Sequence, residues 1–230
     1  MRIKIFFLFP IFLSSYLCKL MQGGKFKTIT TLSEGFYKEK GSKFLAFAIP
    51  CKTEEEIRDH IQRLRKEHHQ AVHVCSAFRL GSDKKKYRAS DDGEPSNSAG
   101  APILGQIQSF DLTNILIAVV RYYGGVNLGV GGLINAYRTA SKEALENAQI
   151  IEQEDELLIT LLYDYNEMPQ VMALLKNSRA RIINQDFQLS CKLNIQLPVS
   201  ELNLLEQFME LNLLLPEEKN IRIENHGIIQ

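Results

Sequence analysis

Cysteine is scarce in this chain. Its 230 residues include four, Cys18, Cys51, Cys75 and Cys191, set far apart and without a C-x-x-C pair. That excludes a disulfide framework and reads as cytosolic usage. Net charge is also lacking, with 27 basic against 27 acidic residues, which excludes a protein that coats nucleic acid along its whole length. The apolar run from Ile5 to Leu17 is 13 residues, short of the ~20 that a membrane helix needs. No internal repeat and no low-complexity tract is present. What remains is ordinary globular composition, 45% apolar and 23% charged, with length for one large domain or two small ones.

The run at residues 5–17 follows a basic start and so resembles a secretory signal. No A-x-A-like site follows it, however, and Leu17 is not the small residue that a lipoprotein reading of Cys18 requires. Residues 1–20 are read as signal-like or as a misassigned start, with Met21 the expected true beginning. Everything beyond looks cytosolic, so a cytoplasmic protein with no membrane association is expected.

Charge is uneven along the chain. Residues 21–150 carry 18 basic and 14 acidic side chains, whereas residues 151–230 carry 6 and 13. This contrast predicts two domains, 21–150 and 157–230, with "IIEQEDE" as a linker. Alternation in "KFKTITTLSEGFYKEKGSKFLAFAIP" predicts two or three strands. Thr53 and Glu56 form a capping box for a helix with Ile57, Ile61 and Leu64 on one face. "AVHVCSAFRL" reads as a strand, and residues 81–100 as a long polar connection. A helix with Pro102 in its first turn, strand 115–120, a glycine loop and a helix to Ala148 follow. Leu133, Tyr137, Ala140, Ala144 and Ala148 form a stripe whose small residues would let the last helix lie close to a sheet. The second domain reads strand 157–165, helix 169–177, strands 181–187 and 189–197, helix 201–211 and strand 221–225. Ser200 is the expected N-cap of its second helix. That βαββαβ order is the ferredoxin-like pattern.

Four constellations carry chemistry. "RYYGGVNLGVGGLINAY" places five glycines between Gly124 and Gly132. It is either an anion cradle at a helix start or a tight corner. Ile134 stands where G-x-G-x-x-G needs a third glycine and no G-K-[ST] follows, so nucleotide fingerprints fail. "RASDDGEPSNSAG" clusters Asp91, Asp92 and Glu94, either as Mg²⁺ ligands or as a turn neutralised by Arg88 and Arg121. His73 and Cys75 share one strand face but lack the third group of a zinc or nucleophile site, and read as a half-buried pair. "KKKYR" at 84–88 is basic with an aromatic and reads as solvated loop surface or an RNA contact. Arg121 is expected to pair with at least one of the three carboxylates of the acidic turn, Asp91 or Asp92 ahead of Glu94, and through both fork nitrogens if partly buried.

Together, "YRASDDGEPSNSAGAPIL" and "VVRYYGGVNLGVGGLINAY" resemble the two signature segments of the IMPACT/YigZ family, and "SEGFYKEKGSKFLAFA" and "AVHVCSA" fit its pattern. The similarity spans residues 26–150 and starts just after Met21. It implies an α+β first domain of the sandwich type shared with a ribosomal-protein domain, followed by a ferredoxin-like second domain. The motif positions here are Arg88, Asp91, Asp92, Glu94, Pro95, Ala99, Gly100, Arg121, Gly124, Gly125, Leu128, Gly129, Gly132 and Tyr137, with Ser98 where many members carry Thr. Eukaryotic relatives regulate translation through protein–protein contact in amino-acid starvation. The resemblance therefore implies a non-enzymatic regulatory or binding protein linked to translation or stress response, with a partner in the translation machinery. The expected binding residues are Arg88, Asp91, Asp92, Glu94, Ser98, Arg121, Gly124, Gly125, Gly129 and Gly132, with no catalytic residue, metal or cofactor. A Mg²⁺-dependent enzyme acting on a phosphorylated or nucleotide-like substrate and an RNA-binding protein are the alternatives.

Overall fold

The computed structural model describes residues 24–187 and 191–201, together with the backbone of a final strand, Arg222–Ile229. The expected extension at 1–20 lies outside these residues, as does nearly all of the helix expected over 201–211. The chain divides into two compact units, one of them Lys25–Gln153 and the other containing Glu154–Gln230. Both mix helices with antiparallel sheets, an α+β fold.

The first unit runs β1 (Lys25–Ile29), β2 (Ser33–Glu39), β3 (Ser42–Pro50), α1 (Glu54–Glu67), β4 (His73–Leu80), β5 (Lys86–Ser90), α2 (Gly100–Ser109), β6 (Ile115–Tyr122), α3 (Gly129–Glu146) and β7 (Ile150–Glu154). Strands β2-β3-β6-β4-β5 form one sheet, antiparallel at every pairing. Central β6 is buried on both faces, which is why its sequence is an uninterrupted apolar run. Ile115, Ile117 and Val119 join the core beneath α2 and α3. Leu116, Ala118 and Val120 join the core beneath α1. Continuing that alternation puts Arg121 on the α2–α3 side.

Two stretches expected to be connections are strands. "KYRAS" forms edge strand β5 within the polar 81–100 segment, and "IIEQE" forms β7, which pairs with β1. Neither buries a residue completely, so neither carries the apolar alternation that marks a strand in sequence. Pairing decides them, for β5 with β4 across the short 81–85 turn and for β7 with β1, more than 100 residues away. Helix α1 begins as expected, with Thr53 Oγ1 accepting from the Glu56 N–H, but Glu56 reaches the Lys52 N–H rather than that of Thr53.

Small residues set the closest approaches. A Cβ on Gly35 of β2 would lie 2.3 Å from the Ala144 nitrogen, so α3 rests directly on the strand along its Ala140–Ala144 stripe. A Cβ on Gly124 would lie 2.0 Å from the Gly41 carbonyl carbon, where the loop after β6 crosses the β2–β3 turn.

The second unit runs β8 (Glu156–Tyr163), a 3₁₀ turn (Tyr165–Glu167), α4 (Met168–Lys176), β9 (Arg181–Phe187), β10 (Cys191–Pro198), a 3₁₀ turn (Val199–Glu201) and β11 (Arg222–Ile229). Its sheet order is β11-β8-β10-β9, antiparallel throughout, the order of a ferredoxin-like sheet. Leu157, Ile159, Leu161, Leu193, Ile195 and Leu197 alternate into one core with Val171 and Leu175 of α4. Ser200, expected as a helix N-cap, lies within the second 3₁₀ turn, where its hydroxyl accepts from Arg179.

Two glycine substitutions should move stability in opposite directions. Gly124→Ala overpacks a backbone crossing and should cost about 1–3 kcal/mol. Gly105 lies inside α2, and a Cβ there would meet no atom within 4 Å. Its change to Ala should gain about 0.5–1 kcal/mol. Thermal unfolding midpoints of the two variants check the signs.

Candidate functional site

The residues of the acidic turn do not converge on one point. Each carboxylate has its own partners. Asp91 Oδ1 accepts from the N–H groups of Ala99 (3.0 Å) and Gly100 (2.8 Å), and Oδ2 accepts from that of Asn97 (2.8 Å). It therefore caps α2, whose own N-cap, Ala99, has no side chain to do so. Burial pushes the Asp91 carboxyl up, but the three N–H donors outweigh it and hold the group below its ordinary value of 3.8. Asp92 accepts from the Val74 N–H at 2.7 Å and from Arg65 of α1 at 2.5 Å. Among the described residues no group of three or more His, Cys, Asp or Glu side chains is arranged to hold a metal ion.

Glu94 is the buried member, its side chain 3% exposed. Its Oε1 lies 2.5 Å from Arg121 Nη1 and accepts from the Tyr137 hydroxyl at 2.8 Å. The expected Arg121 pairing thus forms with Glu94 rather than with Asp91 or Asp92, and through one nitrogen rather than two. The reason is direction: Asp91 turns to the start of α2 and Asp92 to α1, leaving Glu94 to point under α3, where β6 delivers Arg121. The guanidinium sits 5.5 Å from the ring centres of both Phe44 and Tyr123, and its Nε is buried without a hydrogen-bond partner.

Two further residues that look structurally bland in sequence complete the cluster. His73 Nδ1 donates to the Asp92 carbonyl at 2.7 Å, and its Nε2 lies 3.9 Å from Glu94 Oε1. Cys75 Sγ lies 3.0 Å from the Asp91 carbonyl oxygen and 3.3 Å from Tyr137 Oη. The signal was the shared strand face of His73 and Cys75, together with a register unreadable in sequence that sets His73 opposite Arg121. Burial pushes the Cys75 thiol up to about 12, with Glu94, Asp92 and Asp91 adding to the shift. Burial also drives the Tyr137 phenol far above its ordinary value of 10.0. Burial thus disfavours ionisation of both near pH 7, as for a packed thiol.

The remaining predicted residues are distributed around this cluster. Ser98 is fully buried and donates to the Pro95 carbonyl at 2.6 Å, tightening the turn. Gly124 donates its N–H to Ser42 Oγ at 3.1 Å. Gly125 and Gly129 hold φ of 83° and 73° in open surroundings, the left-handed region that favours glycine. Gly132 is in the first turn of α3, where a Cβ would meet Leu128 at 3.0 Å. Gly124 is therefore a tight corner, while the loop beyond it is exposed, with Val126 and Val130 half uncovered. Arg88 does not neutralise the acidic turn. It pairs opposite Phe78, whose ring lies in the α1-side core, and so belongs to the other face of the sheet.

Arg121→Ala should cost about 3–5 kcal/mol, because it leaves the Glu94 carboxylate buried without its counter-charge. A urea unfolding series checks the figure. Asp91 gives a pH signature of known sign. Its folded-state value is depressed, so its contribution to stability is complete above the ordinary value of 3.8 and is lost as pH falls through the lower folded value. The gap in melting midpoint between wild type and Asp91→Ala should hold constant at neutral pH and shrink below about pH 4.

Residues 40–145 match the family model of the Impact N-terminal domain. The protein named IMPACT family member YigZ from Escherichia coli is 34% identical over 164 residues, 70% of this chain and 80% of that one. IMPACT family member YvyE from Bacillus subtilis is 34% identical over 60% of this chain and 64% of its own length. The yeast Protein IMPACT homolog is 33% identical over 96 residues, 40% of this chain and 36% of that protein. A crystal structure described only as that of a hypothetical protein covers 86% of this chain and 97% of its own, with 28% identity and a TM-score of 0.65. With its signature carboxylates anchoring a turn to the sheet and its glycine corner crossing the β2–β3 turn, the chain belongs to the IMPACT family.

Proposed function

We propose that this protein is a non-enzymatic regulatory or binding protein linked to translation, and that its signature segments build a surface for a protein partner. The observation that carries this reading is the commitment of the motif's reactive groups to internal bonds. Glu94 is held by Arg121 and Tyr137, Asp91 by three backbone N–H groups, and Asp92 by Arg65 and Val74. Cys75 is a buried thiol pushed up to about 12. Groups so engaged hold a shape rather than converge on a substrate. What they hold outward is the 95–97 turn and the exposed loop at 125–127 with the first residues of α3. The translation link is supported by membership of a family whose eukaryotic members regulate translation by protein–protein contact. It also supports action in the cytoplasm and under stress.

Affinity capture of the tagged protein, expressed at native level in amino-acid-starved cells, should recover ribosomes or translation factors. Recovery of no translation component would overturn the link. Gly125→Ala should weaken that capture and lower the melting midpoint only modestly, by the ~1 kcal/mol that a side chain at a φ of 83° costs, because its surroundings are open. Arg121→Ala should lower both.

A further inference from the structure

The five-stranded sheet has two edges, and they are finished differently. On β2 two outward backbone groups are taken by side chains of the α3 segment. The Phe36 N–H donates to Glu143 Oε2 at 3.1 Å, and the Glu34 carbonyl accepts from Asn147 Nδ2 at 2.9 Å. On β5 the same alternation can be followed from β4. The Val74 N–H points toward the β5 side, to Asp92 Oδ2. Ser76, Phe78 and Leu80 therefore bond Ser90, Arg88 and Lys86, and Tyr87 and Ala89 turn their N–H and C=O groups outward. Among the described residues none of these outward groups is hydrogen-bonded, and every residue of β5 is exposed. From Lys84 to Ser90 the chain carries four cations and no acid, although Lys84 pairs with Asp111 at 2.5 Å. Lys86 and Arg88 project over the α1 side, where Lys86 meets Glu54 in an exposed pair at 2.7 Å and Arg58 and Arg65 of α1 are also exposed, Arg65 on Asp92. Tyr87 stands 57% exposed on the opposite face.

We infer that the outer edge of β5 is the docking strand for an extended, acidic segment of a protein partner, which adds to the sheet beside Tyr87 and Ala89. The inference rests on the protein-partner reading above and names the segment chemistry that reading lacks. Outward N–H and C=O groups together require a partner that accepts and donates along its length. A peptide backbone does both, whereas a phosphate backbone only accepts. Lys86 and Arg88 select carboxylates on one face of the incoming strand, and Tyr87 offers an aromatic surface to the other.

The test uses the full chain and a fluorescent peptide of about eight residues alternating Glu and Val, the length of a strand. A Lys–Val peptide and oligouridine serve as competitors. The Glu–Val peptide should bind and slow hydrogen exchange at the Tyr87 and Ala89 amides. Lys86→Glu combined with Arg88→Glu should weaken it about tenfold or more. Ala89→Pro removes only an outward N–H, which an edge strand tolerates, and should weaken binding by a similar factor with an unchanged circular dichroism spectrum. Absence of peptide binding overturns the inference and leaves the cations as a guard against edge pairing. So does an RNA signal that displaces the peptide and survives Ala89→Pro, and so does peptide binding that leaves the Tyr87 and Ala89 amides unprotected. In the capture experiment, translation components recovered equally with wild type and Ala89→Pro overturn the docking strand while the proposed function stands.

Discussion

The Glu94 carboxylate is the constraint on which the rest of the first unit depends. It is an anion taken almost wholly out of water, an arrangement that costs several kcal/mol unless charge and hydrogen bonds compensate. Arg121 at the end of β6 supplies the charge and Tyr137 of α3 supplies the hydrogen bond. One side chain from the turn therefore ties the central strand to the long helix. The turn in turn supplies carbonyls to His73 and Cys75, and Asp91 caps α2. Four elements meet on one thirteen-residue signature segment, 88–100, through groups that water would otherwise satisfy.

Such a design favours rigidity. Two neutral groups beside the buried carboxylate, Cys75 and Tyr137, are pushed away from ionisation by burial. The same chemistry makes a turn that keeps its shape when a partner presses on it, which lowers the ordering cost of association.

The two edges of the sheet show how position changes the meaning of a residue. Glu143 and Asn147 close the β2 edge from a helix more than 100 residues away in sequence. Lys86 and Arg88 leave the β5 edge open but charged. An isolated basic run in sequence has no direction. On a strand, alternate cations share a face and the backbone between them acquires a free side.

Local pattern by itself determined a good deal. The uninterrupted apolar run of β6, the cap at Thr53, the small-residue stripe of α3 and the strand–helix–strand–strand order over residues 156–198 are all written in neighbouring residues, and their elements follow from propensity and burial. The signature segments, too, were legible as motifs. Tertiary structure decided whatever depended on pairing and register. Strand β5 exists because the neighbouring β4 pairs it, and β7 because the distant β1 does, not because their side chains alternate. Arg121 chose Glu94 over Asp91 and Asp92 because the turn's backbone aims the three carboxylates in different directions. His73 and Cys75 became part of the cluster only when β4 lay beside β6. Sequence spacing records which residues are near along the chain, whereas an ion pair or a sheet edge is set by which are near in space.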